Sequence, residues 1–403
     1  MIERIKSLDP VLLPCLAGLL LLGVLALYST SQSDVGTNYF TSQLKWILLG
    51  TAVMLVVTFL TNRLYYDFAY IGYAISLVLL ILVFFVGSEG LGATRWLRFG
   101  GIGIQPSEIA KIATLLALAR YLSDERLEIN RPKIFIIATA IIATPFVLIA
   151  RQPDLGTALV FVVLALPVYY WIGLKFATLI LILIPLIVLF ASFNTFTFIL
   201  ALLLIVLYLI YLRPSVVLGA VYFFLNVAVG FITPMLWNQL KDYQKRRITT
   251  FWNPEADPLG AGYQIIQSKV AIGSGGFWGK GFLEGSQTQL RYLPEQHTDF
   301  IFAVIGEEFG FFGVFAGILL FSIFLIRIVY IANSCKSRFS SVIAIGIGAI
   351  IGFHMFINIG MTVGLFPVTG LPLPFISYGG SALISNMIMV GLLLNFYRSR
   401  YEY

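Results

Sequence analysis

Apolar runs of about twenty residues follow one another along nearly the whole chain, and they leave few folds open. Twelve can be read, near 11–30, 44–61, 68–87, 107–123, 133–150, 156–173, 176–192, 196–212, 216–236, 300–329, 340–366 and 378–397. A helix needs about 20 apolar residues to cross a bilayer, and the lipid phase requires every backbone polar group to be paired. Membrane barrels would instead show alternating segments of about 10 residues. These runs are continuous, so the expected fold class is an all-α polytopic membrane protein, a bundle of about 10–12 transmembrane helices. Charged residues make up 11% of the chain and hydrophobic ones 59%, whereas soluble domains carry about 25% charged residues. The spans repeat too closely for a separate soluble domain, and residues 1–403 read as one integral membrane domain.

An even number of spans puts both termini on one side of the membrane, and charge decides which. With both termini cytoplasmic, the short inner segments hold fourteen Lys and Arg residues between Arg4 and Arg400. The short outer ones then hold four: Lys45, Arg95, Arg98 and Arg151. The positive-inside rule selects that orientation. It requires the breaks SFNTF and YLRPS within 176–236 to be real turns both together or not at all. The net charge of +7 is spread over span ends, the pattern of topology signals and headgroup contacts, and suggests no nucleic acid. No cleavable signal peptide is evident, because the first apolar run is long enough to span. Cys15 lies in the first span and Cys335 in a short basic loop, so no disulfide is expected.

The polar chemistry is concentrated in one long segment, 237–299, which this orientation leaves outside the cytoplasm. It carries a basic cluster (Lys241, Lys245, Arg246, Arg247), Asp257, the glycine-rich run SGGFWGKG, and His297 beside Asp299. A loop of this length translocates largely regardless of its charge, so its basic content points to an anionic ligand, with lipid headgroups as the plainer alternative. SGGFWGKG has a phosphate-loop composition and Lys280 nearby, but it lacks the spacing of a P-loop and its terminal Lys-Ser/Thr. With only two histidines, His297 and His354, an imidazole-based metal site is not expected.

Asp299 precedes the apolar run IFAVIG, where it can either cap a helix or act as a partly shielded general base. His297 could share that work or be an ordinary loop residue. Glu307 and Glu308 lie about two turns inside the same span, where acids are costly unless paired or wet. Glu108 and Lys111 of QPSEIAK share a helix face at i and i+3, as an ion pair would. Pro106 and Ser107 before them fit a helix start. Three further outer segments add polar groups: GATRWLRFG with Arg95 and Trp96, RQPDLGT with Asp154, and PLPFISYGGS with Ser377. Capping and turn duties explain each alone; their convergence on one side suggests a site.

The segments GATRWLRFG, QPSEIAK, RQPDLGT, DPLGAGYQIIQSKVAIGSGG, LPEQHTDFIFAVIGEEFG and NIGMTVGLFPVTGLPLPFISYGGSAL resemble the SEDS family (shape, elongation, division and sporulation), and its elongation members in particular. The likeness runs through most of the chain and departs from the family's ten-span pattern by about two extra spans in 176–236. It implies a peptidoglycan glycosyltransferase that polymerises lipid II at the outer face of the bacterial cytoplasmic membrane. It further implies a class B penicillin-binding protein as crosslinking partner, with other proteins of the elongation complex. Lipid II and the departing undecaprenyl pyrophosphate would be its membrane-borne ligands.

By the same resemblance Asp299 is the catalytic carboxylate. Trp96, Glu108, Lys111 and Asp154 match family positions and are expected to bind substrate or support the site. Arg95, Lys269, His297 and Ser377 are further candidates for that work among the polar segments. No cofactor is demanded, although carboxylates with a pyrophosphate leave a divalent cation, Mg²⁺ or Mn²⁺, open. Three alternatives remain on the sequence: a lipid II flippase, a non-catalytic scaffold, and a septal or sporulation paralogue with the same reaction.

Overall fold

The computed structural model describes residues 8–33, 38–90, 93–99, 102–124, 126–240, 245, 249–251 and 262–400. The basic residues Lys241, Arg246 and Arg247, and Asp257, lie outside the described residues, as does the side chain of Arg98.

Each of the twelve apolar runs is a helix, and local chemistry sets where most of them start. In chain order, α1 is Leu12–Ser33, α2 Tyr39–Phe59, α3 Asn62–Val86, α4 Pro106–Leu122, α5 Pro132–Arg151 and α6 Leu155–Trp171. Then come α7 Phe176–Ala191, α8 Thr195–Leu212 and α9 Val216–Gln239. Two shorter helices, α10 Tyr263–Gly275 and α11 Ser286–Gln289, fall inside the polar segment. The last three are α12 Ile301–Ser334, α13 Arg338–Thr362 and α14 Gly380–Arg398. Proline opens α4 and α5, where its missing N–H costs nothing. Side chains of Asn38, Asp154, Asn194 and Ser215 accept N–H bonds at the starts of α2, α6, α8 and α9, satisfying donors that a helix start leaves over. Among the described residues, nine helices are long and apolar enough to cross a membrane on that ground alone.

The centre of the bundle is α13 and α14, the most buried of those nine. Around them α14 packs on α2, α13 on α6 and α4, and α12 on α13 and α1. Helices α7, α8 and α9 pack mainly on one another, around Val188, Ala201 and Ile205. The chain breaks between these helices at 192–194, a turn, and at 213–215, irregular backbone with Arg213 in the left-handed region. A feature absent from the helical reading is a small antiparallel sheet between α3 and α4, in the order β1 (Ser88–Gly90), β2 (Ala93–Phe99), β3 (Ile102–Ile104). It pairs Leu97 with Ile104 and sets Trp96 opposite Ser88.

Helix α12 is broken once, at Gly310, whose φ of 61° and ψ of −154° are non-helical. The N–H groups of Phe311 and Phe312 turn instead to the carbonyls of Gly276 and Phe277, at 2.9 and 3.4 Å. In return Lys280 and Gly281 donate to the carbonyls of Glu307 and Glu308. The glycine-rich run thus repairs the broken helix by pairing the backbone groups the break sets free. Its glycines allow contact of main chain with main chain: a Cβ on Gly275 would lie 2.0 Å from the Gly306 carbonyl oxygen, and one on Gly279 2.0 Å from that of Glu308. Gly275→Ala is expected to destabilise the fold by about 1–3 kcal/mol through overpacking, visible as a lower thermal unfolding midpoint in detergent; an unchanged midpoint would contradict the packing described.

At the opposite end of the bundle, buried Asp9 caps α1 by accepting from Val11 and Leu12 and pairs with Arg327 at 2.7 Å. Cys15 and Cys335 are both free thiols. Burial pushes the Cys335 thiol up to about 11, against a smaller opposing pull from Arg400, so it is protonated at neutral pH.

Candidate active site

Asp299 occupies a turn, one residue before the N-cap of α12, and two segments distant in sequence hold that turn. Its N–H donates to the Glu295 carbonyl at 3.1 Å. Its own carbonyl accepts from Asn358 Nδ2 at 3.0 Å, and the same amide donates to the Leu371 carbonyl at 2.9 Å. Ser377 Oγ donates to the Thr298 carbonyl at 2.6 Å while accepting from Leu373 N–H. The Tyr378 N–H bonds the His297 carbonyl, and Gln43 of α2 reaches the Ser377 carbonyl. The half-buried carboxylate faces Gly370: Oδ2 lies 3.8 Å from where a Cβ would stand there. Gly370 has φ of 73°, a conformation glycine adopts without strain. The segment 369–378 is therefore the wall against which Asp299 is set.

His297 and Ser377 both support that wall. The His297 ring stacks on Tyr39 with centroids 3.9 Å apart and meets Tyr378 edge-on. Its Nε2 lies 3.8 Å from Glu295 Oε2. Ser377 is buried and uses its hydroxyl on the main chain. Each is a brace for the Asp299 turn.

The pair expected at Glu108 and Lys111 is present. Lys111 Nζ lies 2.9 Å from Glu108 Oε1, with both side chains buried. The structure adds a third member that sequence reasoning set aside: Lys111 Nζ is also 3.3 Å from His354 Nε2, and His354 Nδ1 is 3.3 Å from the Pro372 carbonyl. A lone histidine in the apolar run of α13 carried no signal by itself. Its i, i+4 spacing from Asn358 was the available hint, since both then face the same wall.

Arg95 and Asp154 also come together. Arg95 Nε is 3.4 Å from Asp154 Oδ2, and its Nη2 donates to the Pro153 carbonyl at 3.2 Å. Asp154 caps α6 through Thr157 N and Oγ1, so the capping role is real. At the second residue of α6, Gly156 touches the wall closely, a Cβ there falling 2.6 Å from the Thr369 carbonyl oxygen. Thr369 is next to Gly370, so Gly156, Thr369 and Gly370 lie between the Arg95–Asp154 pair and Asp299. Trp96 lies against Gly103 of β3, and Ser381 ties the Gly103 carbonyl to the start of α14. Lys269 is exposed on α10, its ammonium resting on Gly364, five residues before the wall.

The two acids of α12 part company. Glu307 is buried and receives Lys280 Nζ at 2.8 Å, the N–H groups of Gln287 and Thr288, and Thr288 Oγ1. It organises the loop. Glu308 is held by Ser29 Oγ, which also accepts from Gln289. The amides of Gly279, Lys280 and Gly281 are spent on Gly275, Glu307 and Glu308 carbonyls, leaving none of the three to cradle a phosphate. Among the described residues, no group of three or more His, Cys, Asp and Glu side chains could hold a metal ion.

Residues 10–196 and 174–402 match the family model for the FtsW, RodA and SpoVE cell cycle proteins. The chain belongs to that family. The SEDS likeness read from the motifs is therefore correct. This FtsW/RodA/SpoVE-family chain is 37% identical over 394 residues to the peptidoglycan glycosyltransferase MrdB of Escherichia coli K12, covering 98% of this chain and 94% of that one. It is similar to a chain of a peptidoglycan synthase complex whose structure concerns coordinated polymerisation and crosslinking, with a TM-score of 0.74, 29% identity and 98% and 99% coverage. It also matches the crystal structure of the rod shape determining protein RodA of Thermus thermophilus, at a TM-score of 0.66, 27% identity and 98% coverage of each chain.

Proposed function

We propose that this chain is a peptidoglycan glycosyltransferase that polymerises lipid II into glycan strands during cell elongation. The observation that carries the reading is Asp299: a half-buried carboxylate facing Gly370, on a turn at a helix entrance whose main chain is held by Asn358 and Ser377. It occurs in a chain like MrdB over nearly its full length. Asp299 takes the proton from the 4-hydroxyl of the acceptor GlcNAc. The freed oxygen attacks the anomeric carbon of the donor MurNAc, inverting it, and the bond to undecaprenyl pyrophosphate breaks with the electron pair leaving on the pyrophosphate. Basic groups at this end, Arg95 and Lys269 among them, stabilise that charge through charge-assisted bonds. Trp96 supplies an apolar face to the same region. A divalent cation, Mg²⁺ or Mn²⁺, would travel chiefly on the pyrophosphate and add screening there.

The site faces outward, both termini are cytoplasmic, and the protein works in the bacterial inner membrane. The fourteen-to-four distribution of basic residues supports this orientation. The crosslinking partner is a class B penicillin-binding protein, a reading supported by the likeness to a chain of a peptidoglycan synthase complex, and the other elongation proteins assemble around the pair.

The test is polymerisation of labelled lipid II by the purified protein with its cognate transpeptidase. A ladder of glycan strands is expected. Flipping of lipid II between leaflets without any polymer would overturn the reading in favour of a transporter.

A further inference from the structure

We propose that His354 is a positioning residue that transmits the Glu108–Lys111 ion pair to the wall facing Asp299. This rests on the reading of Asp299 as the polymerising centre. The chain of contacts is Glu108 Oε1, Lys111 Nζ (2.9 Å), His354 Nε2 (3.3 Å), then His354 Nδ1 to the Pro372 carbonyl (3.3 Å). Lys111 sits against a carboxylate and is an ammonium, a group that only donates. The facing Nε2 must therefore accept, which leaves the single ring proton on Nδ1, aimed at the Pro372 carbonyl. One neutral tautomer satisfies both contacts, whereas the other would lose both. The charge pair on α4 thus selects the form of the ring that grips the wall.

The grip has a partner one turn along α13. Asn358, fully buried, holds the carbonyls of Leu371 and Asp299 with one amide nitrogen. His354 and Asn358 fix two successive carbonyls, Pro372 and Leu371, immediately after Gly370, the residue the Asp299 carboxylate faces. Sub-ångström placement of a general base is worth a large rate factor, which gives a buried histidine that acts through this wall a catalytic consequence.

The experiment compares wild type with His354→Phe, which keeps the ring volume without polar atoms, and His354→Gln, which offers one acceptor and one donor. His354→Phe is expected to lower turnover by on the order of 10²-fold with the KM for lipid II unchanged, and His354→Gln to recover most of that loss. ¹⁵N-histidine spectra of the wild type, which has two histidines, should show the His354 proton on Nδ1 and an accepting Nε2. Hydrogen exchange over residues 363–379 should quicken in His354→Phe alone. Wild-type turnover in His354→Phe, a proton on Nε2, or equal loss of stability and binding in both variants would each overturn the proposal. The spectra and the exchange need no catalysis. An inactive wild type therefore counts against the polymerase reading, while unchanged exchange in His354→Phe counts against His354.

Discussion

Asp299→Ala is expected to lose lipid II polymerisation by roughly 10²- to 10⁴-fold, the usual worth of a general base, while keeping its fold. The turn that carries Asp299 is held through main-chain atoms and neighbouring side chains: its N–H on Glu295, its carbonyl on Asn358, and the Thr298 carbonyl on Ser377. All of these survive truncation at Cβ, and Phe300 and Ile301, which follow, stay buried. Asp299→Asn separates charge from shape, because it fills the same space without accepting a proton. The measurement is glycan strand formation by matched preparations whose thermal unfolding midpoints and transpeptidase binding agree with wild type. Both variants should be inactive. A well-folded Asp299→Ala or Asp299→Asn that polymerises at the wild-type rate would remove Asp299 from the reaction.

The second large effect belongs to the buried ion pair. Glu108 and Lys111 are 5% and 1% exposed, and Glu108 Oε2 has no hydrogen-bond partner among the described residues. Removing either partner alone strands the other charge, at a cost of about 3–5 kcal/mol for such pairs. Total stabilities are only about 5–15 kcal/mol, so Lys111→Met or Glu108→Leu should lower the unfolding midpoint in detergent severely. The double variant, Glu108→Leu with Lys111→Met, leaves no buried charge and should recover much of the stability, since packed apolar residues often replace such pairs without loss. Polymerisation should stay low in the double variant, because the Pro372 grip would have lost the ammonium that fixes the His354 tautomer. Recovery of folding and full activity together would show the pair to be packing alone.

The helices were legible because lipid permits so little else. A segment with no water to pair its backbone must be a continuous helix, and runs such as 340–366 and 378–397 are recognisable from hydropathy alone. Caps were legible too: Pro106 opens α4 and Asp154 caps α6, as QPSEIAK and RQPDLGT suggest. The β1–β3 sheet was not, because Ala93–Phe99 (ATRWLRF) shows no regular apolar–polar alternation and its neighbouring strands have three residues each. Their pairing depends on partners that no window of sequence displays.

The site divides in the same way. Sequence by itself determined the membrane class, the apolar helical runs, the acidic and basic candidates and the resemblance on which the proposed role of Asp299 rests, since these depend on residue type and spacing along one chain. Tertiary structure decided what each candidate touches. Glu307 became a loop anchor, and the phosphate-like glycine run became the repair of a helix broken at Gly310. His354, an isolated polar residue in an apolar run, became the link between α4 and the wall facing Asp299. Those assignments rest on contacts between residues as many as 243 positions apart. Hydrogen bonds and ion pairs act only over a few ångströms, and only the folded chain brings such residues within that range.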